Sequence, residues 1–327
     1  MCGHGHLLPA GIMAMLLYLV VRMRWGQWVG GDARGHQELL SRIRGPLGAE
    51  DPRVVATVRA HYLFPPSHLP YNLTHRYHYE NSHLSHAFGW GFYHHYIRHF
   101  FGNQRGGFFL EAGALDGEFL SNSLWLELNL GWSGLLIEAD RNNFRHLLWK
   151  RRRAWISNTC VAKESYPREA IFESLEETKG ESRWIYRANT RETGSYFTKF
   201  LDELSRSSRR SYTRTQCFPL TTHLLALNVT TIDLLSLDMQ GGEWEVIRGL
   251  PLEKVLVRSM AVEHFPGSET DRKGAKFDQA FVRYMEGLGY RLVDVNMDVD
   301  YFFILTSDQV LKHKSDPREL NQFHKKT

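Results

Sequence analysis

The stretch from Gly107 to Glu138 leaves few folds open. It begins Gly107-Phe108-Phe109-Leu110-Glu111-Ala112-Gly113-Ala114-Leu115-Asp116-Gly117, continues with a helical pattern, and closes on Gly134-Leu135-Leu136-Ile137-Glu138. An apolar strand ends in an acid and small residues follow at once. A second apolar strand then ends in another acid, about 20 residues after the glycine turn. Strand, glycine turn, helix, strand and acid together make the arrangement that holds an adenosine. The glycines let the backbone approach a ligand, and the second acid accepts both ribose hydroxyls. Glu111, Gly113, Ala114, Gly117 and Glu138 are therefore the expected cofactor contacts.

The glycines alone specify little, because a glycine turn between strand and helix is often only a tight turn. The acid that closes each strand adds the information. The dinucleotide pattern also wants a glycine where this chain has Leu115, which argues against a pyrophosphate resting there. A ligand without phosphates, such as S-adenosylmethionine, fits better than NAD.

Downstream, strands and helices alternate. Helices are expected over 122–130, 142–152, 222–227, 242–249 and 277–288, and strands over 135–138, 155–161, 231–237 and 259–263. Alternation on this scale implies an α/β, doubly wound, Rossmann-like parallel sheet. Two further strands, 290–295 and 301–306, form a closing hairpin. The core thus runs over 106–307, interrupted at 163–216 by a polar insertion or lid, and a charged, frayed tail occupies 308–327.

The N-terminal region is organised differently. No Lys, Arg, Asp or Glu occurs in the first 21 residues, and Leu7–Val21 is an apolar run broken only by Pro9 and Gly11. Residues 1–24 are read as a membrane anchor, ahead of a cleaved signal or a buried helix. The run is shorter than the roughly 20 residues of an ordinary span, but thinner early-secretory membranes accept shorter ones. Arg22, Arg24 and Arg34 favour a cytoplasmic C-terminal side. The sequons Asn72-Leu73-Thr74 and Asn228-Val229-Thr230 favour a lumenal one.

Residues 25–105 read as a stem and a His- and aromatic-rich lead-in, with 9 of the 17 histidines between 61 and 101. His75 with His78, and His83 with His86, have metal-ligand spacing. No acid or cysteine completes a set, so a packing surface is preferred and no metal site is expected. A helix over 91–101 is expected to cover one edge of the core. For Cys160 and Cys217, a disulfide in an oxidising compartment and two buried thiols both fit. The basic run 150–153 reads as the cationic end of a helix, and nucleic acid is not an expected partner.

A second constellation, Leu237-Asp238-Met239-Gln240-Gly241-Gly242-Glu243, sits at another strand end. Ligands of open parallel sheets bind beyond the carboxyl ends of strands, so Asp238, Glu263, Glu111 and Glu138 should converge on one rim. Asp238 is the expected catalytic base and a further cofactor contact. Glu243 stands behind it, with helix capping as its alternative role.

These two segments resemble the FkbM-type methyltransferase domain over residues 106–306. Ser121-Asn122-Ser123, Gly131-Trp132-Ser133-Gly134 and Cys217-Phe218-Pro219-Leu220 are closest to its membrane-anchored, Star-like animal branch. The resemblance implies a class I methyltransferase fold, S-adenosylmethionine as ligand and O-methylation of a small hydroxyl or carboxyl acceptor. The Star-like branch implies a membrane protein of the endoplasmic reticulum, Golgi or endosomes. It would have a lumenal domain and act on growth-factor precursors as protein cargo. The sequence departs from the family at Gln240, where the family carries Glu, and at Gly242, where it carries a small residue other than glycine. An amide takes up no proton near neutral pH, so cofactor binding can survive there while catalysis fails. An active O-methyltransferase and a trafficking factor with weak turnover are the two readings.

Overall fold

The computed structural model of the protein describes residues 46–74, 91–176, 190–193, 209–265, 277–297 and 299–316. Among these, no helix is long and apolar enough to cross a membrane. The expected anchor over 7–21 and the histidine pairs His75/His78 and His83/His86 lie outside the described residues.

The main sheet has eight strands. In chain order they are β1 (Leu63–Phe64), β2 (Phe108–Ala112), β3 (Ser133–Ile137), β4 (Trp155–Ser157), β10 (Leu234–Leu237), β12 (Ser259–Glu263), β13 (Tyr290–Asn296) and β14 (Asp300–Leu305). Two short strands that precede β10 and β12, β9 (Thr231–Ile232) and β11 (Leu256–Val257), pair with each other in parallel. Across the main sheet the order is β1-β4-β3-β2-β10-β12-β14-β13. From β4 to β12 all pairs are parallel. The expected closing hairpin is β13–β14, whose second strand pairs antiparallel with β12. The chain lays down β2, β3 and β4 in one direction, then returns to place β10 and β12 on the other side of β2. The β2/β10 boundary is thus the switch point at which a crevice opens.

Both faces of the sheet are buried, as expected of parallel strands. Leu110, Leu135, Leu235, Met260 and Tyr301 pack on one face, and Phe109, Leu136, Leu234, Ala261 and Phe302 on the other. Their alternation along each strand is the period-two pattern of a strand. The helix α1 (Pro52–His61) packs Val54 and Val58 against Ala226 of α5 (Leu220–Leu227). The helix α7 (Gln279–Gly287) covers the first face through Phe281 and Met285. The helix α2 (Gly91–Phe101) forms as expected and lies on the second face towards the β13 edge, where Tyr96 donates to Asp294 at 2.6 Å. Its Phe100 stacks on Phe302 with ring centroids 5.6 Å apart.

Several boundaries differ from the sequence reading, each for a polar reason. The strand expected over 155–161 divides at Asn158, whose side-chain amide donates to the Glu138 carbonyl at 2.9 Å. The second piece, β5 (Cys160–Val161), joins a separate sheet ordered β5-β8-β6-β7, with β6 (Arg168–Glu176), β7 (Arg191–Glu192) and β8 (Arg209–Phe218). The described part of the polar insertion is therefore a β-layer held by charge pairs such as Arg191–Glu173 at 3.1 Å and Arg168–Glu192 at 2.7 Å. Cys160 and Cys217 face each other in its register and are disulfide-bonded. The tail is not frayed throughout. Asp308 caps a short helix, α8 (Gln309–Lys314), and Leu311 on it is buried.

The basic run closes a helix, as expected, but two of its cations turn inward. The helix α4 (Arg141–Lys150) stops at Arg151, which is left-handed at φ 57°. Lys150 turns inward to Glu118 and, at 3.3 Å, to Asp116. Arg152 is fully buried against Glu127 at 3.0 Å and against the Gly117 carbonyl. Two of the four cations therefore lock the loop that follows the glycine turn.

Candidate functional site

The carboxyl ends of β2, β3 and β10 open into a pocket, and β5–β7 of the inserted layer form its facing wall. Its lining includes Glu111, Gly113, Ala114, Leu115, Asn122, Glu138 and Asp238 from the main sheet. Phe172, Thr190, Glu192 and Lys163 come from the insertion.

Gly113 explains how β2 and β10 part. It has φ 87°, and a Cβ there would fall 1.7 Å from the Asp238 carbonyl oxygen. Only glycine fits, and its role is this close backbone approach. Gly117 does not line the pocket, contrary to expectation. It is buried at φ 74°, and a Cβ on it would meet Leu147 Cδ1 at 2.3 Å. It is a packing turn.

The N–H groups of the turn are committed within the protein. Those of Gly113 and Ala114 donate to the Ile137 carbonyl at 3.0 and 3.1 Å. Leu115 donates to Glu138 Oε2 at 2.8 Å, and Glu118 and Phe119 to Asp116 Oδ1 at 2.9 and 2.7 Å. A pyrophosphate needs free N–H groups at such a turn, so this one suits a ligand without phosphates.

Glu138 stands at the end of β3 with both oxygens oriented. Oε1 accepts the Asp140 N–H and Oε2 the Leu115 N–H, each at 2.8 Å. Each carboxylate oxygen has a second lone pair, so ribose hydroxyls can still be received. Burial pushes its carboxyl up to about 8, and the neighbouring Asp140 charge adds to this against the hydrogen bonds. Glu111 is bound more completely, by the Ser121 hydroxyl at 2.9 Å, the Asn122 N–H at 2.8 Å and the Ser123 hydroxyl at 2.5 Å. It orders the loop before α3 (Leu124–Leu130). Burial also raises its pKa, opposed by the charge of Arg152.

Asp238 lines the pocket, and its Oδ1 accepts the Gln240 side-chain amide at 2.9 Å. The same nitrogen donates to Glu263 Oε2 at 2.7 Å. Three of the four acids expected on one rim therefore line the pocket, and Glu263 sits behind Gln240. Burial, then the charge of Asp238, pushes Glu263 well above the ordinary carboxylate range. Glu243 is not in the pocket lining. It is buried at the start of α6 (Glu243–Arg248), and its Oε1 accepts the Met239 and Gly241 N–H groups, both at 2.9 Å. It closes the turn before that helix without capping the helix itself, and it does not face the pocket as a second base. Burial raises its pKa to about 7.

Asn122 is a pocket residue that sequence reasoning passed over as a site. Its amide nitrogen donates to the Ser236 hydroxyl at 3.0 Å. Its buried Oδ1 has no partner among the described residues. The Ser-Asn-Ser run was visible, but nothing in it told the middle residue from its neighbours. A group that fits this pocket has hydroxyls for Glu138, a donor for Asn122 and no phosphate.

The Methyltransferase FkbM domain matches residues 111–292. The chain belongs to the FkbM methyltransferase family. No curated protein matches it. The FkbM match begins at Glu111, the pocket acid at the end of β2, and runs through the insertion to Leu292 in β13. Every residue lining the pocket thus lies inside the FkbM domain. Membership suggests methylation that depends on S-adenosylmethionine.

Proposed function

We propose that this FkbM-domain chain binds S-adenosylmethionine in the pocket at the β2/β10 boundary. It would transfer the methyl group to an oxygen acceptor in the lumen of the secretory pathway, held there by its N-terminal anchor. The observation that carries the cofactor is the unpaired Asn122 Oδ1, which shares the pocket with Glu138. Glu138 would take the ribose hydroxyls, and Asn122 the ammonium of the methionine portion. The strand order supports a class I methyltransferase fold, with five parallel strands completed by one antiparallel strand inside a hairpin.

When bound, the cofactor supplies an electrophilic methyl group, so the protein's work is mainly alignment. Glu111 fixes the loop that carries Asn122. Asp238 meets the acceptor, with Gln240 holding one of its oxygens. The Cys160–Cys217 disulfide supports an oxidising compartment. Asn72 and Asn228 are both exposed, as glycan acceptors must be. The amide at Gln240 favours a second reading, a Star-like trafficking factor that binds cofactor with weak turnover.

Calorimetric titration of the full chain in detergent with S-adenosylmethionine and S-adenosylhomocysteine tests the cofactor, and binding of neither rejects it. Loss of mass on glycosidase treatment of the cell-expressed protein tests the lumenal placement. Unglycosylated protein that is digested by protease added to sealed microsomes reverses it.

A further inference from the structure

Lys163 is the one cation among the described residues that line the pocket. It follows β5 on the insertion wall, and its side chain crosses to the loop after β10. There a Cβ on Gly242 would fall 2.1 Å from its Cε and 2.8 Å from its Cδ. Gly242, at φ 97°, is thus the gap through which this lysine reaches the pocket. The Lys163 ammonium lies 3.3 Å from Glu192 Oε2. Glu192 does not depend on it, because Arg168 donates to both Glu192 oxygens, at 2.7 and 2.9 Å. An incoming anion can take Lys163 without leaving a carboxylate unpaired, which would be the costly outcome.

We infer that Lys163 holds the carboxylate of the methyl acceptor, and that this pocket serves carboxyl O-methylation. The inference rests on the cofactor reading above. A hydroxyl acceptor has a proton to lose, yet position 240 carries an amide, Glu243 is turned away, and the Gln240 amide occupies one of the two Asp238 oxygens. A carboxylate is ionised at neutral pH and needs no base. One of its oxygens gives an electron pair to the methyl carbon while the carbon–sulfur pair leaves with sulfur. The charges −1 and +1 become a neutral ester and a neutral thioether, and no proton moves. The ester no longer pairs with Lys163, which favours its release.

The test uses the full chain saturated with S-adenosylhomocysteine, and propanoate, benzoate and phenylacetate as probes, each beside its neutral amide. At least one carboxylate should bind, and its amide should not. Lys163→Gln should weaken that carboxylate by about tenfold or more, the scale of a lost charged hydrogen bond. Lys163→Arg should retain it, and S-adenosylhomocysteine affinity should stay the same in both variants. Gly242→Ala, which pushes the lysine aside, should weaken the carboxylate as well. Equal binding of acid and amide, no carboxylate bound by the wild type, or an unchanged affinity in Lys163→Gln overturns the inference. Loss of S-adenosylhomocysteine affinity in Lys163→Gln assigns the lysine to the cofactor's own carboxylate and also overturns it. A wild type that does not bind S-adenosylhomocysteine fails the cofactor reading itself, and the inference with it. The comparison of acid with amide in the wild type stands even where a variant fails to fold.

Discussion

Replacing Gln240 with Glu exchanges one amide nitrogen for an oxygen, and the neighbouring acids set the cost. That nitrogen donates to Asp238 at 2.9 Å and to Glu263 at 2.7 Å. An oxygen in its place removes both donors and brings three carboxyl groups into contact. A hydrogen bond to a charged group contributes about 1.5–3 kcal/mol. The Asp238 bond takes the lower figure, and the bond to Glu263, whose pKa is raised, an ordinary ~1 kcal/mol, or about 2.5 kcal/mol together. The corresponding fall in melting temperature is roughly 4–5 °C. The introduced carboxyl has a folded-state pKa above its unfolded one. Its penalty is therefore absent below the unfolded value, about 4.3, and complete only above the raised folded value. Thermal unfolding of the full chain at pH 5 and pH 8 measures this. The deficit should be large at pH 8 and smaller at pH 5. Gln240→Met, which removes the donors without adding a carboxyl, should show less change with pH. If Gln240→Glu melts within about 1 °C of the wild type at pH 8, the bridging role is wrong. The substitution also ceases to be a neutral probe of basicity, since any regained turnover would come with a destabilised rim.

Glu138→Ala should weaken S-adenosylmethionine binding by about tenfold or more, read by calorimetry. Without ligand, the raised Glu138 pKa of about 8 makes stability decline from its unfolded pKa, near 4.5, up to about pH 8, and level above. Glu138→Gln should flatten that part of the thermal-unfolding profile. The Cys160–Cys217 bond spans 57 residues of sequence, so Cys160→Ala with Cys217→Ala should cost at most about 4 kcal/mol in denaturant unfolding. An unchanged midpoint would mean that the bond does not form in the expressed protein.

Apolar periodicity made the central strands legible, because each carries residues for two buried faces. The pocket acids were legible for a related reason, since an acid that ends an apolar run has left the core. Splits inside strands were not legible, because they depend on distant partners. Asp233 interrupts the strand expected over 231–237 by accepting the Phe108 N–H at 2.8 Å and Arg258 at 2.6 Å. Glu243 looked like a second base because its spacing fits both roles, and only the direction of its carboxylate decides. The insertion hid its strands because charge pairs replace apolar alternation there. Lys163 was accordingly passed over.

The disulfide has a consequence for how such a pocket can change. Cys160 and Cys217 close the chain between them into a covalent ring that begins and ends beside the main sheet. Lengthening, shortening or cutting the segment within the ring alters its circumference while both attachment points stay fixed. The wall that faces the acceptor can therefore be exchanged without shifting the strands that would hold the cofactor. Under the proposed function, one scaffold of this kind would be refitted to different acceptors by editing the inserted layer alone.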